Sequence, residues 1–330
     1  MKLKILFAVL MISSSCAYAQ EFFSSPFAHT FSIVARDSVT GEMGVAVQSH
    51  WFSVGSIVGW AEAGVGVVAT QSFVNPAFGP DGLKLLRDGK SPEEIVKILT
   101  EADSGKDVRQ LAVLDVNGRT ASYTGTKCIM PAGNIARKNF SVQANLMLND
   151  KVWQAMAKAF EETKAPLAER MIAALEAAQS VGGDIRGMQS ASILIVKGKS
   201  TGKIWEDREI DLRVEDNTAP IQELKRLLKI YRAYEHMNNG DLAMEKKDMA
   251  AAMKEYGAGA AMYSENPELK YWYAVTMVNN GKVEEALPLF KEVFLRDSNW
   301  ALLIPRLRKA EQLKCSDEVE KKILEQSTRH

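Results

Sequence analysis

Up to about Asp216 the apolar residues of this chain alternate with period two in several short runs, and after it they recur only at helical spacing. Such a chain builds a sheet-bearing unit first and an all-helical unit second, and 330 residues suffice for about two domains. "TFSIVAR" and "MGVAVQS" flank the turn "DSVTGE", which predicts a hairpin from Thr30 onward. "SIVGWAEAGVGVVATQS" continues as one or two strands, with Gly64 and Gly66 where the backbone bends or is closely approached. "PDGLKLLRDG" and "SPEEIVKILTEAD" predict two helices, the second opened by Ser91 as cap with Pro92 in its first turn. "VRQLAVLDVNGRTASYTG" is a second hairpin around Asn117-Gly118, and "NFSVQANLML" is another strand. Two helices, "DKVWQAMAKAFEET" and "PLAERMIAALEAAQSV", precede the strands "SASILIV" and "REIDLRV". That order of blocks predicts two sheets held between helix layers over residues 30–216.

The polar, proline-containing stretch "DNTAPIQ" reads as a linker opening a helical region over 217–330. Shifting that region by 34 residues sets Gly240 on Ala274, Ala252 on Ala286 and Tyr256 on Phe290. Small residues let two antiparallel helices approach while the aromatic fills the groove to the next pair, a pattern that resembles the tetratricopeptide repeat. His236 and Lys270 stand where that pattern prefers an aromatic, and "ALLIPRLRKAEQL" with "SDEVEKKILEQS" reads as a divergent capping pair. The alternative is an unrelated helical bundle.

At the other end, "MKLK" is a basic stretch, "ILFAVLMISSS" an apolar one and "AYA" a small-residue cleavage site ending at Ala19. The apolar run is too short to span a bilayer comfortably, so residues 1–19 read as a secretory signal and the protein as exported, periplasmic or extracellular. Ser13 stands where a lipoprotein signal ahead of Cys16 wants a large aliphatic residue. Residues 20–29 then form an N-terminal extension or propeptide. Forty-one basic residues balance 41 acidic ones and no basic run stands out, so nothing points to nucleic acid. Cys128 and Cys315 fall in separate predicted domains and read as idle thiols, neither a disulfide framework nor a metal site.

Chemistry is narrowed by what is missing. The four histidines, His29, His50, His236 and His330, never stand at metal-ligand spacing, and no nucleophile elbow, phosphate-binding loop or dinucleotide fingerprint occurs. No metal and no cofactor are expected. One route to catalysis needs neither: a threonine at a chain terminus uses its own α-amine as general base, and that amine titrates near about 7.7–8.0. Such a nucleophile belongs at the first residue of a central strand, the position Thr30 takes. Signal cleavage after Ala19 leaves "QEFFSSPFAH" ahead of it, so the His29–Thr30 bond must be cut for this chemistry, or Thr30 is merely a β-branched residue suited to a strand start.

Over Thr30 to about Val214 the chain resembles the domain of unknown function 1028 family, through "ATQSFVNPAFG", "VQANLML" and "GGDIRGMQSA" in that order. The family is assigned to the N-terminal-nucleophile hydrolase-like superfamily, which contains the proteasome subunits. The resemblance implies an α+β fold, a four-layer αββα sandwich, and no particular substrate.

An amide-cleaving site built on Thr30 needs donors for an oxyanion, for which Gln71, Asn75 and Asn145 are candidates. A cation that lowers the nucleophile's pKa comes from His50 or Arg186, and Asp184 orients Arg186 or binds a substrate amine. Thr30, Asp184, Arg186 and Asn145 form the expected catalytic set; His50, Gln71, Asn75 and Gln189 form the substrate-binding set. Asp184 and Arg186 also read as a local pairing in a glycine-bounded turn, Ser49 and Ser190 as strand residues, and Trp51 and Trp60 as core or pocket lining. Two functions fit: a hydrolase acting on a peptide, acylated amino acid or cell-wall fragment, and a non-catalytic scaffold whose sandwich holds a ligand. In both, the helical repeats meet a protein partner.

Overall fold

The computed structural model describes residues 27–327, so the stretch expected to be a secretory signal, residues 1–19, and the expected extension up to residue 26 lie outside the described residues. The chain divides into two compact units on either side of Lys225–Arg226. Among the described residues no helix is long and apolar enough to cross a membrane.

The first unit carries two antiparallel sheets. One orders β1 (Phe27–Ala28), β5 (Gly66–Phe73), β6 (Arg109–Asp115) and β7 (Thr120–Thr124), with β4 (Gly59–Glu62) also on β5. The other orders β11 (Arg208–Val214), β10 (Ser190–Val196), β3 (Met43–Ser49), β2 (Thr30–Arg36), β9 (Phe140–Ala144) and β8 (Gly133–Arg137). Alternation along the strands decides what faces what. Val34, Val45 and Val47 of the second sheet meet Val67, Ala69 and Leu114 of the first in one buried cluster. The opposite face of the first sheet, Val68, Leu111 and Val113, is covered by Leu83, Ile95 and Leu99 from helices Phe78–Arg87 and Pro92–Ala102. Helices Val152–Glu162 and Leu167–Ser180 cover the second sheet, Phe160 lying 4.9 Å from Phe140 between ring centroids. The layers therefore run helix, sheet, sheet, helix.

Local chemistry accounts for the boundaries. Ser91 accepts from the Glu94 amide while the Glu94 carboxylate accepts from the Ser91 amide, a reciprocal cap. The β6–β7 turn is tied by Asp115, whose Oδ1 accepts from the amides of Asn117 and Arg119 at 2.9 and 2.8 Å, with Gly118 at φ 78°. Two expectations about strands need correction. The run "NFSVQANLML" ends as a strand at Ala144, because Leu146 turns into left-handed backbone at φ 59°. Strand β8, not foreseen, pairs with β9 through a turn at Asn139, φ 71°; it is an edge strand with Ala136 and Arg137 exposed, so its sequence lacks the alternation of a half-buried strand.

In the second unit, helices Met249–Met262 and Val283–Arg296 are displaced from one another by 34 positions at both ends, as the self-comparison predicts. Ala252, Ala286 and Phe290 are fully buried and Tyr256 nearly so. A Cβ added at Gly240 would come within 2.8 Å of the Tyr256 ring, so a larger residue here would have to displace that ring. Tyr271, from helix Pro267–Asn279, sits 5.7 Å edge-on to Phe290 and 5.0 Å from Trp300. The end of the unit is closed by Ile304, Leu307, Leu313 and Ile323, from helices Leu303–Lys309 and Asp317–Glu325 and the loop between them.

Candidate functional site around Thr30

Thr30 opens β2 opposite Ser49 of β3, and Ser49 in turn faces Ser190 of β10. Period two puts Thr30, Ser32 and Val34 on the face turned toward the other sheet, so a polar group at this strand start lies in the interior. Thr30 has no exposed surface, and its hydroxyl donates to the Ala28 carbonyl at 2.8 Å.

The two carbonyls flanking the His29–Thr30 bond are gripped from opposite sides. The His29 oxygen accepts from Ser49 Oγ at 2.5 Å and from Arg186 Nη2 at 2.8 Å. The Thr30 oxygen accepts from the Asn145 amide at 3.1 Å, Gln71 Nε2 at 3.2 Å and Asn145 Nδ2 at 3.5 Å. Behind these runs a buried chain of side-chain amides between the sheets. Gln71 Nε2 and Asn145 Nδ2 both donate to Gln110 Oε1, at 2.7 and 2.8 Å; Ser32 Oγ donates to Gln71 Oε1, and Gln143 Nε2 donates to Ser32 Oγ. A satisfied network of this kind holds each donor in one orientation.

Asp184 and Arg186 form the charged side of the site. Arg186 donates through Nη2 and Nε to the two carboxylate oxygens at 2.7 and 3.0 Å, and the Asp184 side chain also accepts from the Arg186 amide. The turn that carries them is anchored by a bridge between Met147 and Asp184. The pair is locally bonded, and its guanidinium also reaches the carbonyl before Thr30. The His29 imidazole is buried, with Nδ1 2.6 Å from Asn145 Oδ1. Burial pushes its pKa below the usual histidine range; the Asn145 bond acts against this, the Arg186 charge with it, and the Asp184 charge against it. The ring is therefore neutral at pH 7. Because Asn145 Oδ1 can only accept, the proton sits on Nδ1.

Of the residues expected at the site, Thr30, Asp184, Arg186, Asn145 and Gln71 come together. His50 lies at the rim: it is exposed, its amide donates to Asp184 Oδ2 at 3.4 Å, and its ring stands near Gly187. Asn75 is engaged elsewhere, donating to Asp103 Oδ2 at 3.2 Å and capping the turn at Ala77. Gln189 joins β10 to the stretch after β11, with its amide nitrogen on Ser49 O and its side chain on Asp216. Trp60 lies against Gly79 in the outer core and Trp51 against the core between the sheets. Sequence reasoning missed Ser49, Gln110 and the imidazole of His29. For Ser49 a signal existed: a polar residue opposite Thr30 at an otherwise apolar inward position. Ser190 is the strand residue expected, opening β10, and its hydroxyl also donates to Trp51 O and accepts from the Val54 amide. Cys128 and Cys315 are free thiols, and no cluster of metal-ligating side chains occurs among the described residues.

The second unit has a cavity of its own, about 720 Å³, with Met237, Asp241, Glu245, Tyr256, Trp272 and Val275 among its lining residues.

Two facing antiparallel sheets between helix layers, with a buried threonine and an Asp–Arg pair at one strand start, define an α+β protein with an enclosed polar site. The chain belongs to DUF1028, a family of unknown function, whose profile matches residues 30–224. A crystal structure of a member of the same family from Silicibacter pomeroyi is 30% identical, at TM-score 0.56, over 61% of this chain and 88% of that one. Anbu (ancestral beta-subunit) from Yersinia bercovieri is 14% identical, at TM-score 0.31, over 60% of this chain and 92% of that one, a likeness too distant to bear on activity. No curated protein matches the chain.

Proposed function

We propose that this chain is the uncut form of an exported amide-bond hydrolase of the N-terminal-nucleophile type, with Thr30 as nucleophile once the His29–Thr30 bond is broken. In this reading the first unit is an N-terminal-nucleophile-like αββα sandwich, and the second is a tetratricopeptide-like array that meets a protein partner. The observation that carries it is the pair of donors, Ser49 Oγ and Arg186 Nη2, on the carbonyl oxygen of His29. Donors aimed at a carbonyl oxygen stabilise the negative charge that develops there when a nucleophile adds to its carbon.

The self-cleavage that follows is balanced with water alone. The Thr30 hydroxyl oxygen adds to the His29 carbonyl carbon, and its proton passes to the departing amide nitrogen. The C–N bond breaks to leave an ester on Thr30 Oγ and a free Thr30 amine. Water then hydrolyses the ester to the His29 carboxylate and the free hydroxyl. In the uncut chain that hydroxyl is turned to Ala28 O, so it must rotate before it attacks. Turnover on a substrate repeats the acyl transfer, with the new amine as general base.

The test is the intact mass and N-terminal sequence of protein from its native compartment. A start at Thr30, lost in Thr30→Ala and retained in part in Thr30→Ser, is the expected result; a start at Gln20 in every active preparation overturns the reading. One observation favours the scaffold alternative: Thr30 has no exposed surface while the segment ahead of it is in place, whereas the second unit offers a ready cavity. A start at Gln20 would promote that alternative.

A further inference from the structure

We infer that residues 27–29 occupy the acyl-side subsites of this site. The substrate is then an extended peptide ending, before the cut, in a small residue followed by one with a neutral hydrogen-bond-donating side chain, and the released segment is a product inhibitor. The inference rests on the reading of Thr30 as nucleophile.

Three features of the site define that peptide. Strand β4 leaves β5 at Ala69, and from Ser72 onward along the same strand Phe27 and Ala28 pair antiparallel with Phe73 and Ser72. A short length of strand edge is thus open to any extended chain, because main-chain pairing demands little of side chains. The next feature is enclosure: Ala28 is fully buried beside this edge, which limits that position to a small residue. The third is the place taken by the His29 ring, edge-on to Phe73 at 5.7 Å with its Nδ1 on Asn145 Oδ1. The Asn145 amide is not free to turn, since its nitrogen donates to Gln110 Oε1 and Thr30 O. This subsite therefore presents a fixed acceptor, and the nearby Arg186 guanidinium disfavours a cationic side chain there.

After the cut, the His29 carbonyl becomes a carboxylate in reach of the same Arg186 and Ser49 donors. Hydrogen bonds to a charged group are stronger than to a neutral one, by about 1 kcal/mol in net terms. Asp184 shares Nη2 and opposes part of this gain. The free acid of the released segment is thus expected to bind about fivefold more tightly than its amide.

The experiment uses protein begun at Thr30, either recovered as such or released from a fusion partner, with its melting curve shown to match that of the parent. Calorimetry is run with acetyl-Pro-Phe-Ala-His as free acid and as amide, and with the free acid acetyl-Pro-Phe-Ala-Ala; the aminocoumarin amide of the His peptide is offered as substrate. We expect release of coumarin, competitive inhibition by the His free acid, about fivefold weaker binding of its amide and about tenfold weaker binding of the Ala peptide, a difference that Asn145→Ala removes. Equal affinity for the His and Ala peptides overturns the inference, as does no binding by a protein that hydrolyses other amides. A native chain that begins at Gln20 overturns it together with the reading it rests on.

Discussion

Arg186 holds Asp184 side-on, Nη2 to Oδ2 at 2.7 Å and Nε to Oδ1 at 3.0 Å, while the same Nη2 reaches the carbonyl of His29. The Asp184 side chain has no exposed surface and the Arg186 side chain keeps 26% of its own. The charge on Arg186 is thus partly balanced by water and mostly by Asp184.

Removal of the carboxylate should therefore cost stability. Breaking a fully buried pair costs about 3–5 kcal/mol, and the exposure of Arg186 lowers the expectation for Asp184→Ala to about 2–3 kcal/mol. Urea unfolding followed by tryptophan fluorescence measures it. A shift in midpoint worth less than about 0.5 kcal/mol would mean that the pair contributes nothing net.

A second consequence concerns pH. His29 has its pKa lowered from the ordinary 6.5 in the folded chain, first by burial, so the unfolded state binds the proton more readily. Stability then rises with pH wherever the unfolded state holds more protons. The uncut protein should be at full strength above about pH 6.5 and lose stability as the pH falls below it. His29→Gln should flatten that slope; an unchanged slope would assign it to other groups.

On the outer face of the first sheet, Gly79→Ala tests which of two effects wins. Alanine favours a helix over glycine by about 1 kcal/mol. A Cβ here, however, would stand 2.3 Å from the Trp60 ring, and overpacking costs about 1–3 kcal/mol. A net loss of about 1–2 kcal/mol is expected, relieved when Trp60→Leu is added. A stabilised Gly79→Ala protein would contradict the contact.

In the second unit, Phe290 is fully buried against Tyr271 and Phe294. Phe290→Ala should cost about 3–5 kcal/mol there. Circular dichroism of the whole chain should show an early loss of helix, while the cluster between the sheets, reported by amide exchange at Val34 and Val47, stays protected. Simultaneous loss of protection in both would mean that the two units unfold as one.

Most strands and helices of this protein are written locally. Period-two runs, the Ser91–Glu94 cap, the Asn117–Gly118 turn and the 34-residue offset between helices Met249–Met262 and Val283–Arg296 all rest on residues near one another in sequence, where steric preference and hydrogen-bonding chemistry act without knowledge of the fold. Strand β8 escaped because an edge strand has no second neighbour and little burial to impose a pattern.

The site is a different matter. Sequence pattern placed a threonine at the head of a central strand, with an aspartate and an arginine in a glycine-bounded turn. It carried no information on which amides would face that threonine. Asn75 and Asn145 are alike as residues, yet one caps a helix-leading turn and the other lies on Thr30, because orientation follows from strand register and from how the sheets stack. The Arg186 donor and the His29 carbonyl are 157 positions apart, and Gln71 reaches Thr30 from the opposite sheet. Hydrogen bonds over such separations leave no local trace; they form when burial of the apolar faces between the sheets brings the strand ends together, and that step belongs to the tertiary structure alone.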